Sequence, residues 1–212
     1  MTDRPLLHGY FRSSASYRVR IALNLKGIAY DDVFHHLRLR EHKTAEYLAL
    51  NPQGLVPGLE VQGGVLTQSL AICDYLDELV PEPPLLPADL LERAQVRAFA
   101  LAIACEIHPL QNLATLDRLR GLGATDEQVT RWAGDVIGEG LGACARLIED
   151  RRGPFCFGDC VTLADLCLVP QLANARRFGV PLDQPRLTEI EANCMGLPAF
   201  QRARPENQPD AE

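Results

Sequence analysis

Residues 80–88 read VPEPPLLPA, with four prolines in nine positions. Proline lacks the N–H group that helices and sheet interiors require, so neither kind of element can run through this stretch. It is the clearest domain boundary in the chain. We therefore predict a first domain over 1–80, a linker over 81–87 and a second domain over 88–212.

The segment before the linker changes its hydrophobic period repeatedly, as a mixed α/β domain does. Short apolar runs predict strands over 5–10, 29–35, 57–61 and 64–67. Helical periods predict helices over 14–26, 43–50 and 68–79. In the first of these helices, the polar residues lie largely opposite the apolar face; they are Arg18, Arg20, Asn24 and Lys26. The element order is βαβ followed by αββα.

The segment after the linker has a helical period almost throughout. The predicted helices cover 88–119, 125–150, 162–178 and 185–194. From Pro198 onward the chain is polar and rich in proline, so we expect a loosely ordered tail. This half of the chain is predicted to be an all-α domain.

Composition argues against several classes of function. The net charge of −7 disfavours nonspecific binding to nucleic acid or to an anionic membrane surface. No stretch approaches the roughly 20 apolar residues of a membrane span. The seven cysteines are odd in number and lie mainly in apolar periodic segments, which indicates buried thiols in a reducing compartment. We expect a cytoplasmic protein without a nucleic-acid partner, a membrane partner or a metal.

Three motifs, spread over both predicted domains, resemble those of a known protein family. They are YFRSSAS (10–16) leading into RVRIAL (18–23), NP (51–52) with VP (56–57) and QSLAI (68–72), and ADLCLVPQ (164–171) running to Arg177 and Phe178. With the element order, they resemble the glutathione transferases, in particular the zeta class of maleylacetoacetate and maleylpyruvate isomerases. The resemblance implies a thioredoxin-like α/β domain before an all-α domain, glutathione as cofactor, and a homodimer.

Ser13 and Ser14 lie where the first strand meets the first helix. A free thiol has a pKa of about 8.5, so an enzyme that uses glutathione near neutral pH must stabilise the thiolate. A serine hydroxyl and the first-turn amides can do so, although one serine could simply cap the helix. The resemblance favours Ser13 as the sulfur contact, with Ser14 as cap and second donor. Zeta enzymes usually carry Cys in the next position, which is Ala15 here, so a thiol at that place takes no part.

Further positions are predicted to hold the rest of glutathione. The resemblance makes Pro57 a cis-proline, whose neighbour Val56 pairs with the backbone of the glutathione cysteine; a plain turn is the alternative. Gln68 and Ser69 open a helix, which favours a carboxylate such as that of the γ-glutamyl group, or is an ordinary cap. His42 either contacts the glycine carboxylate or is a solvated surface histidine.

The substrate side must bind carboxylates, which guanidinium groups can hold bidentately. The resemblance favours Arg12 and Arg177 for a small dicarboxylate substrate. The adjacent Arg176 cannot point the same way and is expected to be a surface charge.

The first helix after the linker carries a second group of candidates. His108 matches a zeta-class position that faces the active site, although a lone histidine is usually structural. Gln111 and Asn112 complete that motif. Asn112 is also expected near a dimer interface.

Three functional hypotheses follow. The first is glutathione-dependent cis–trans isomerisation of a maleyl-type keto diacid by thiolate addition, bond rotation and elimination. Maleylacetoacetate fits the resemblance best, and maleylpyruvate is close behind. The second is conjugation or dehalogenation of small α-halo acids. The third is a binding or scaffold protein without catalysis, against which the intact Ser13, Val56–Pro57 and Gln68–Ser69 argue.

Overall fold

The structure, a computed structural model, describes residues 4–212. Its contacts group into two units. The first runs up to Leu85 and also contains Gly196–Glu212, and the second is Leu86–Met195. The predicted fold class is confirmed, because a mixed α/β unit precedes a helical region. Residues 196–212, which we assigned to the helical domain, cluster instead with the α/β unit.

The first unit is built on a four-stranded sheet. Its strands are β1 Leu6–Gly9, β2 Asp31–Phe34, β3 Gly58–Val61 and β4 Gly64–Thr67. They lie in the order β2-β1-β3-β4, with β1 parallel to β2 and antiparallel to β3, and with β3 antiparallel to β4. A parallel pair requires a crossover connection, which a helix between β1 and β2 supplies. The predicted βαβ and αββα order is therefore observed.

Three helices of this unit follow the predicted positions to within two residues at each end. They are α1 Ser14–Leu25, α2 Ala45–Leu50 and α3 Ser69–Leu79. Apolar side chains of the sheet and of α1 and α3 are fully buried and form the core; they include Leu7, Leu59, Val19, Ile72 and Leu76. This core fixes the ends of the strands from which the site residues extend.

The polar residues of α1 are less solvated than the helical period suggests. Arg18, Arg20 and the C-cap residue Lys26 were expected opposite the apolar face, yet all three are buried. Lys26 Nζ donates to Asp77 Oδ1 and to the carbonyl of Pro83, both at 2.6 Å. Local periodicity identifies only one buried face, whereas tertiary contacts cover α1 on the other side as well.

The second unit is helical. Its α-helices are α4 Leu90–Leu101, α5 Leu113–Gly121, α6 Asp126–Leu147, α7 Leu163–Arg177 and α8 Pro185–Met195. At the start of α7, the buried carboxylate of Asp165 accepts the N–H of Thr162 at 2.8 Å, as expected of a helix cap. Among residues 4–212, no helix has the length and hydropathy needed to cross a membrane.

The single helix predicted over 88–119 is wrong, because the helix widens and then breaks. Ala102–Ile107 is π-helical, and the N–H of His108 donates to the carbonyl of Ile103 at 2.9 Å. Pro109 follows and has no N–H with which to continue the ladder. A Cβ at Gly140 of α6 would lie 2.4 Å from Ile107, so glycine permits this close approach.

The predicted loosely ordered tail is also wrong. Pro198–Ala203 forms α9, which packs against α1. Asn24 Nδ2 of α1 donates to the carbonyl of Ala199 at 3.1 Å, and Arg20 Nε donates to that of Ala203 at 3.0 Å. These partners are distant in the sequence, so composition alone could not reveal them.

Candidate active site

The sheet brings three of the predicted site segments to one end. Its register pairs His8 of β1 with Gly58 of β3, and Gly58 with Thr67 of β4. Since β1 and β4 end here and β3 begins here, the segments that flank these residues are neighbours. They are the turn before α1, the loop before β3 and the start of α3.

Ser13 is the N-cap of α1. Its Oγ accepts the N–H of Ser16 at 3.1 Å, and its own N–H donates to the carbonyl of Tyr10 at 2.9 Å. The prediction that Ser14 is the cap is wrong, because Ser14 is the first helical residue. Capping uses an oxygen lone pair of Ser13, so the hydroxyl proton remains available for donation.

The first turn of α1 adds further donors. The first N–H groups of a helix have no intrahelical acceptor, and here Ser13 takes only that of Ser16. The amides of Ser14 and Ala15 therefore lie at the positive end of the helix dipole. The first turn contains no acidic residue that would neutralise this end. It suits an anion such as a thiolate.

Arg12 lies directly before this cap. Its guanidinium carbon is 4.8 Å from the ring centre of Phe11, a cation–π contact. The contact holds the cationic side chain against the turn that carries Ser13. This placement is compatible with the predicted binding of a substrate carboxylate.

The peptide bond between Val56 and Pro57 is cis, as the resemblance implies. The carbonyl of Leu55 accepts from the Tyr47 hydroxyl and from Asn51 Nδ2, both at 2.7 Å, which fixes the loop. Within residues 4–212, the N–H and C=O groups of Val56 make no hydrogen bond. Both are available to an extended peptide laid beside them.

Gln68 adopts a φ of +67°, which residues other than glycine rarely do. It is exposed, and its Nε2 donates to Gln53 Oε1 at 2.9 Å. Helix α3 begins one residue later than predicted, at Ser69, without a side-chain cap from Gln68. Ser69 is buried, and its Oγ accepts from Arg18 Nη1 at 3.3 Å. The first-turn amides of α3 and the Ser69 hydroxyl proton have no acceptor among the residues that the structure describes.

His42 lies in a single 3₁₀ turn, Glu41–Lys43, that precedes α2. Its Nδ1 is buried and has no hydrogen-bond partner among the described residues. Burial lowers the pKa of His42, and the charge of Lys43 lowers it further. The ring is therefore neutral at neutral pH and can donate one N–H to a carboxylate. A fully solvated histidine does not fit this environment.

In the second unit, Arg177 is the last residue of α7 and is exposed. Its guanidinium carbon lies 5.2 Å from the ring centre of Phe178. The adjacent Arg176 binds both carboxylate oxygens of Glu191 in α8, one of them at 2.5 Å. Arg176 is held by this ion pair and is therefore not a candidate for a substrate carboxylate.

The other candidates of the second unit lie around the break after α4. His108 is half-buried and follows the π-helical segment. Gln111 is buried, and its Oε1 accepts from Asn174 Nδ2 of α7 at 2.5 Å. Asn112 caps α5, since its Oδ1 accepts the first helical N–H at 2.8 Å. Gln111 and Asn112 thus have structural contacts within this unit, whatever else they bind.

The sequence matches the family model "Glutathione S-transferase, N-terminal domain" over residues 12–79. It is 49% identical to maleylacetoacetate isomerase of Pseudomonas aeruginosa, covering 96% of this chain and 97% of that protein. A holo maleylpyruvate isomerase, described as a bacterial glutathione transferase of the zeta class, superposes with a TM-score of 0.95 at 44% identity, covering 98% and 100% of the two chains. The chain belongs to the zeta-class glutathione transferases.

A glutathione complex is known for another zeta-class relative. Maleylacetoacetate isomerase of Anaeromyxobacter dehalogenans with bound glutathione in its active site superposes with a TM-score of 0.89 at 42% identity, covering 99% of this chain and 98% of that one. The glutathione-binding fold and its cofactor are therefore as the sequence predicts.

Arg20 and Asp210, which the sequence did not identify as site residues, stabilise the turn before α1 in this zeta-class chain. Arg20 Nη2 donates to the carbonyl of Phe11 at 3.0 Å. On the other side of the same residue, the N–H of Phe11 donates to Asp210 Oδ2 at 2.9 Å. The two side chains hold the peptide groups that lead to Ser13. No local motif signals Asp210, because it comes from the tail.

Proposed function

We propose that the chain catalyses the glutathione-dependent cis–trans isomerisation of a maleyl-type keto diacid, with maleylacetoacetate as first candidate and maleylpyruvate as second. The start of α1 carries the proposal, because the hydroxyl proton of Ser13 and the amides of the first turn are available to a thiolate. The isomerase names of its relatives point to the same reaction.

Glutathione fits the polar groups that the first unit leaves unused. Its sulfur suits the start of α1 at Ser13, and the backbone of its cysteine suits the N–H and C=O groups of Val56. Its γ-glutamyl carboxylate suits Ser69 at the start of α3, where Gln68 approaches the same end. Its glycine carboxylate suits the neutral ring of His42.

When bound, glutathione supplies a nucleophilic sulfur that adds to the activated double bond, so that the bond can rotate before elimination releases the trans acid and free glutathione. The Ser13 hydroxyl donates a hydrogen bond to the sulfur. The amides of Ser14 and Ala15 also stabilise the negative charge of the thiolate. Arg12 and Arg177 bind the carboxylates of the diacid and offset the negative charge that develops on its keto side. His108, Gln111 and Asn112 are proposed to shape the binding site.

Steady-state assay of maleylacetone, which carries the reacting unit, tests the proposal. We expect conversion to the trans isomer only when glutathione is present, with the thiol concentration unchanged at the end. Comparison of kcat/KM for maleylacetoacetate and maleylpyruvate then ranks the two diacids. Ser13→Ala protein, purified in parallel, controls for contaminating isomerase.

The same assay separates the alternatives. Consumption of one thiol per turnover, or halide release from an α-halo acid without isomerisation, would identify a transferase or dehalogenase. A protein that binds glutathione and turns over neither substrate would be a binding protein. Either result would contradict the proposed isomerase.

We also propose a homodimer, as the zeta-class resemblance implies. Several large apolar side chains are exposed on the single chain, and a subunit interface could bury them. They include Leu79, Leu90, Leu91 and Leu101. Sedimentation at micromolar concentration should give twice the 23.4 kDa of one chain. A 23.4 kDa species alone would contradict the dimer.

A cytoplasmic location is proposed from the state of the thiols. None of the seven cysteines, all of which lie within residues 4–212, forms a disulfide, and five of them are buried. Burial raises the pKa of Cys144 to about 12, so this thiol stays protonated at cellular pH. Free thiols in this number favour a reducing compartment. Fractionation of cells that express the protein should recover it with the cytosol.

A further inference from the structure

Arg18 is a buried cation that has no counter-charge among residues 4–212. Its side chain lies in α1, and the residue is 1% exposed. Nη1 donates to Ser69 Oγ at 3.3 Å, whereas Nε and Nη2 are buried without a partner among residues 4–212. Within the same residues, no carboxylate lies within ion-pair distance of it. Burying an unpaired charge is costly, so a fold retains one only where it has a purpose.

The other buried cations of α1 show what a purely structural role looks like. Lys26 binds the carboxylate of Asp77 and a backbone carbonyl. Arg20 donates to three backbone carbonyls, those of Tyr10, Phe11 and Ala203. Arg18 instead makes its one hydrogen bond within the described part of the chain to a hydroxyl group at the start of α3.

That contact determines how Ser69 can be used. A guanidinium group has donors only, so the Ser69 oxygen must accept from Arg18. The hydroxyl proton must then point to another acceptor. Ser69 is the first residue of α3, whose first-turn N–H groups receive no cap from the side chain of Gln68. The proton and these amides together favour an anion.

We infer that Arg18 is a positioning residue for the γ-glutamyl carboxylate of glutathione: it orients the Ser69 hydroxyl so that the proton is presented to that carboxylate. Arg18 itself is too buried to touch the ligand. The inference rests on the proposed function, which places glutathione here, and it adds a residue to which no ligand contact is assigned.

The test compares two ligands that differ in one group. One is glutathione, and the other is 4-aminobutanoyl-cysteinylglycine, which lacks only the α-carboxylate of the γ-glutamyl residue. Calorimetry gives the Kd of each for the wild type and for Arg18→Met. We expect Arg18→Met to weaken glutathione about tenfold, which corresponds to ~1.4 kcal/mol, and the analogue less than about twofold. Equal weakening of both ligands, or of neither, would overturn the inference.

A second variant, Arg18→Lys, keeps the inference testable if the Arg18→Met protein does not fold. Arg18→Lys keeps the charge but lacks the planar fork, and we expect glutathione to bind roughly threefold more weakly. In a Ser69→Ala background, the same Arg18→Lys change should leave both Kd values unaltered, because the hydroxyl it acts through is gone. A threefold loss that persists without Ser69 would contradict the inference.

Lys26→Met is the matched control, since it removes another buried cation from the same helix. It should lower stability but leave the ratio of the two Kd values unchanged. At saturating glutathione, Arg18→Lys should retain the wild-type kcat and the wild-type pH titration of the bound thiol.

Failure of the wild type to bind glutathione would refute the proposed function. If the wild type prefers glutathione to the analogue but the Arg18 variants do not alter the ratio of the two Kd values, only this inference would be refuted.

Discussion

The Oγ of Ser13 accepts the N–H of Ser16 at 3.1 Å, so one side chain caps α1 and also lies where the sulfur is proposed to bind. A substitution at Ser13 therefore acts on helix stability and on chemistry at once. Glycine is a good N-cap and alanine is a poor one, which allows the two effects to be separated.

We predict that Ser13→Ala and Ser13→Gly both lower kcat by about 10²-fold or more, because each lacks the donor to the sulfur. Both should raise the pKa of bound glutathione and barely alter its Kd. Denaturant unfolding should distinguish them, since alanine costs about 1 kcal/mol at an N-cap and glycine only a few tenths. Thiolate absorbance against pH gives the pKa. Loss of kcat in the alanine variant alone would implicate the cap instead of the donor.

Arg177→Ala should raise KM for the diacid and leave the thiol titration unchanged, because the proposed contact is with a substrate carboxylate. We expect an increase on the order of tenfold, typical of a lost charged contact. Arg176→Ala is the control: it breaks the ion pair with Glu191 and should lower stability without altering KM. A shift of the thiol titration in Arg177→Ala would make that arginine an activator of the sulfur.

Ala15→Cys restores the residue that zeta enzymes usually carry. We predict that turnover stays within a few-fold of the wild type, since the Ser13 hydroxyl and the first-turn amides already stabilise the thiolate. Steady-state kinetics with maleylacetone measure the effect. A large gain would mean that the site is impaired by alanine.

Asp210→Ala removes the acceptor of the Phe11 N–H. We predict a loss of about 1–3 kcal/mol in the free energy of unfolding, the usual effect of a buried donor left without a partner. kcat should fall several-fold because the turn before Ser13 is less fixed. Glu212→Ala is the control, since that exposed carboxylate pairs with His36 and makes no hydrogen bond to Phe11. Equal effects of the two substitutions would show that the Phe11 contact is not what matters.

Burial and Lys43 hold the pKa of His42 below its ordinary value of 6.5. Below that pH the unfolded chain takes up a proton more readily than the folded chain, so stability falls as the solution is acidified. His42→Gln removes this contribution. When the pH is lowered from 7.5 to 5.5, the free energy of unfolding should fall less for the His42→Gln variant than for the wild type. Denaturant titrations at the two pH values test this, and equal losses would contradict it.

Local pattern was sufficient for most of the secondary structure. Helix α6, Asp126–Leu147, was predicted over 125–150, and Thr125 with Gln128 forms its capping box. The cis bond before Pro57 and the placement of Ser13 followed from motif resemblance. Such features depend on residues that are neighbours in sequence, which is why sequence analysis can find them.

Contacts between segments that are distant in the sequence could not be predicted from local pattern. Arg18 and Arg20 are buried because α3, the β1–α1 turn and α9 lie around α1. The π-helical segment before the break packs closely against Gly140 of α6, and the order of the tail depends on its contacts with α1. In each case at least one partner lies more than 30 residues away in the sequence.

The return of the tail to the first unit has a consequence for biosynthesis. Arg20 cannot bind Ala203, nor Phe11 bind Asp210, until the ribosome has made the whole of Leu86–Met195. The α/β sheet can form early, but the turn that carries Ser13 gains the contact between Phe11 and Asp210 only after residue 210 has emerged. A nascent chain that stalls before then would hold every proposed active-site residue and still lack part of the scaffold that aligns them.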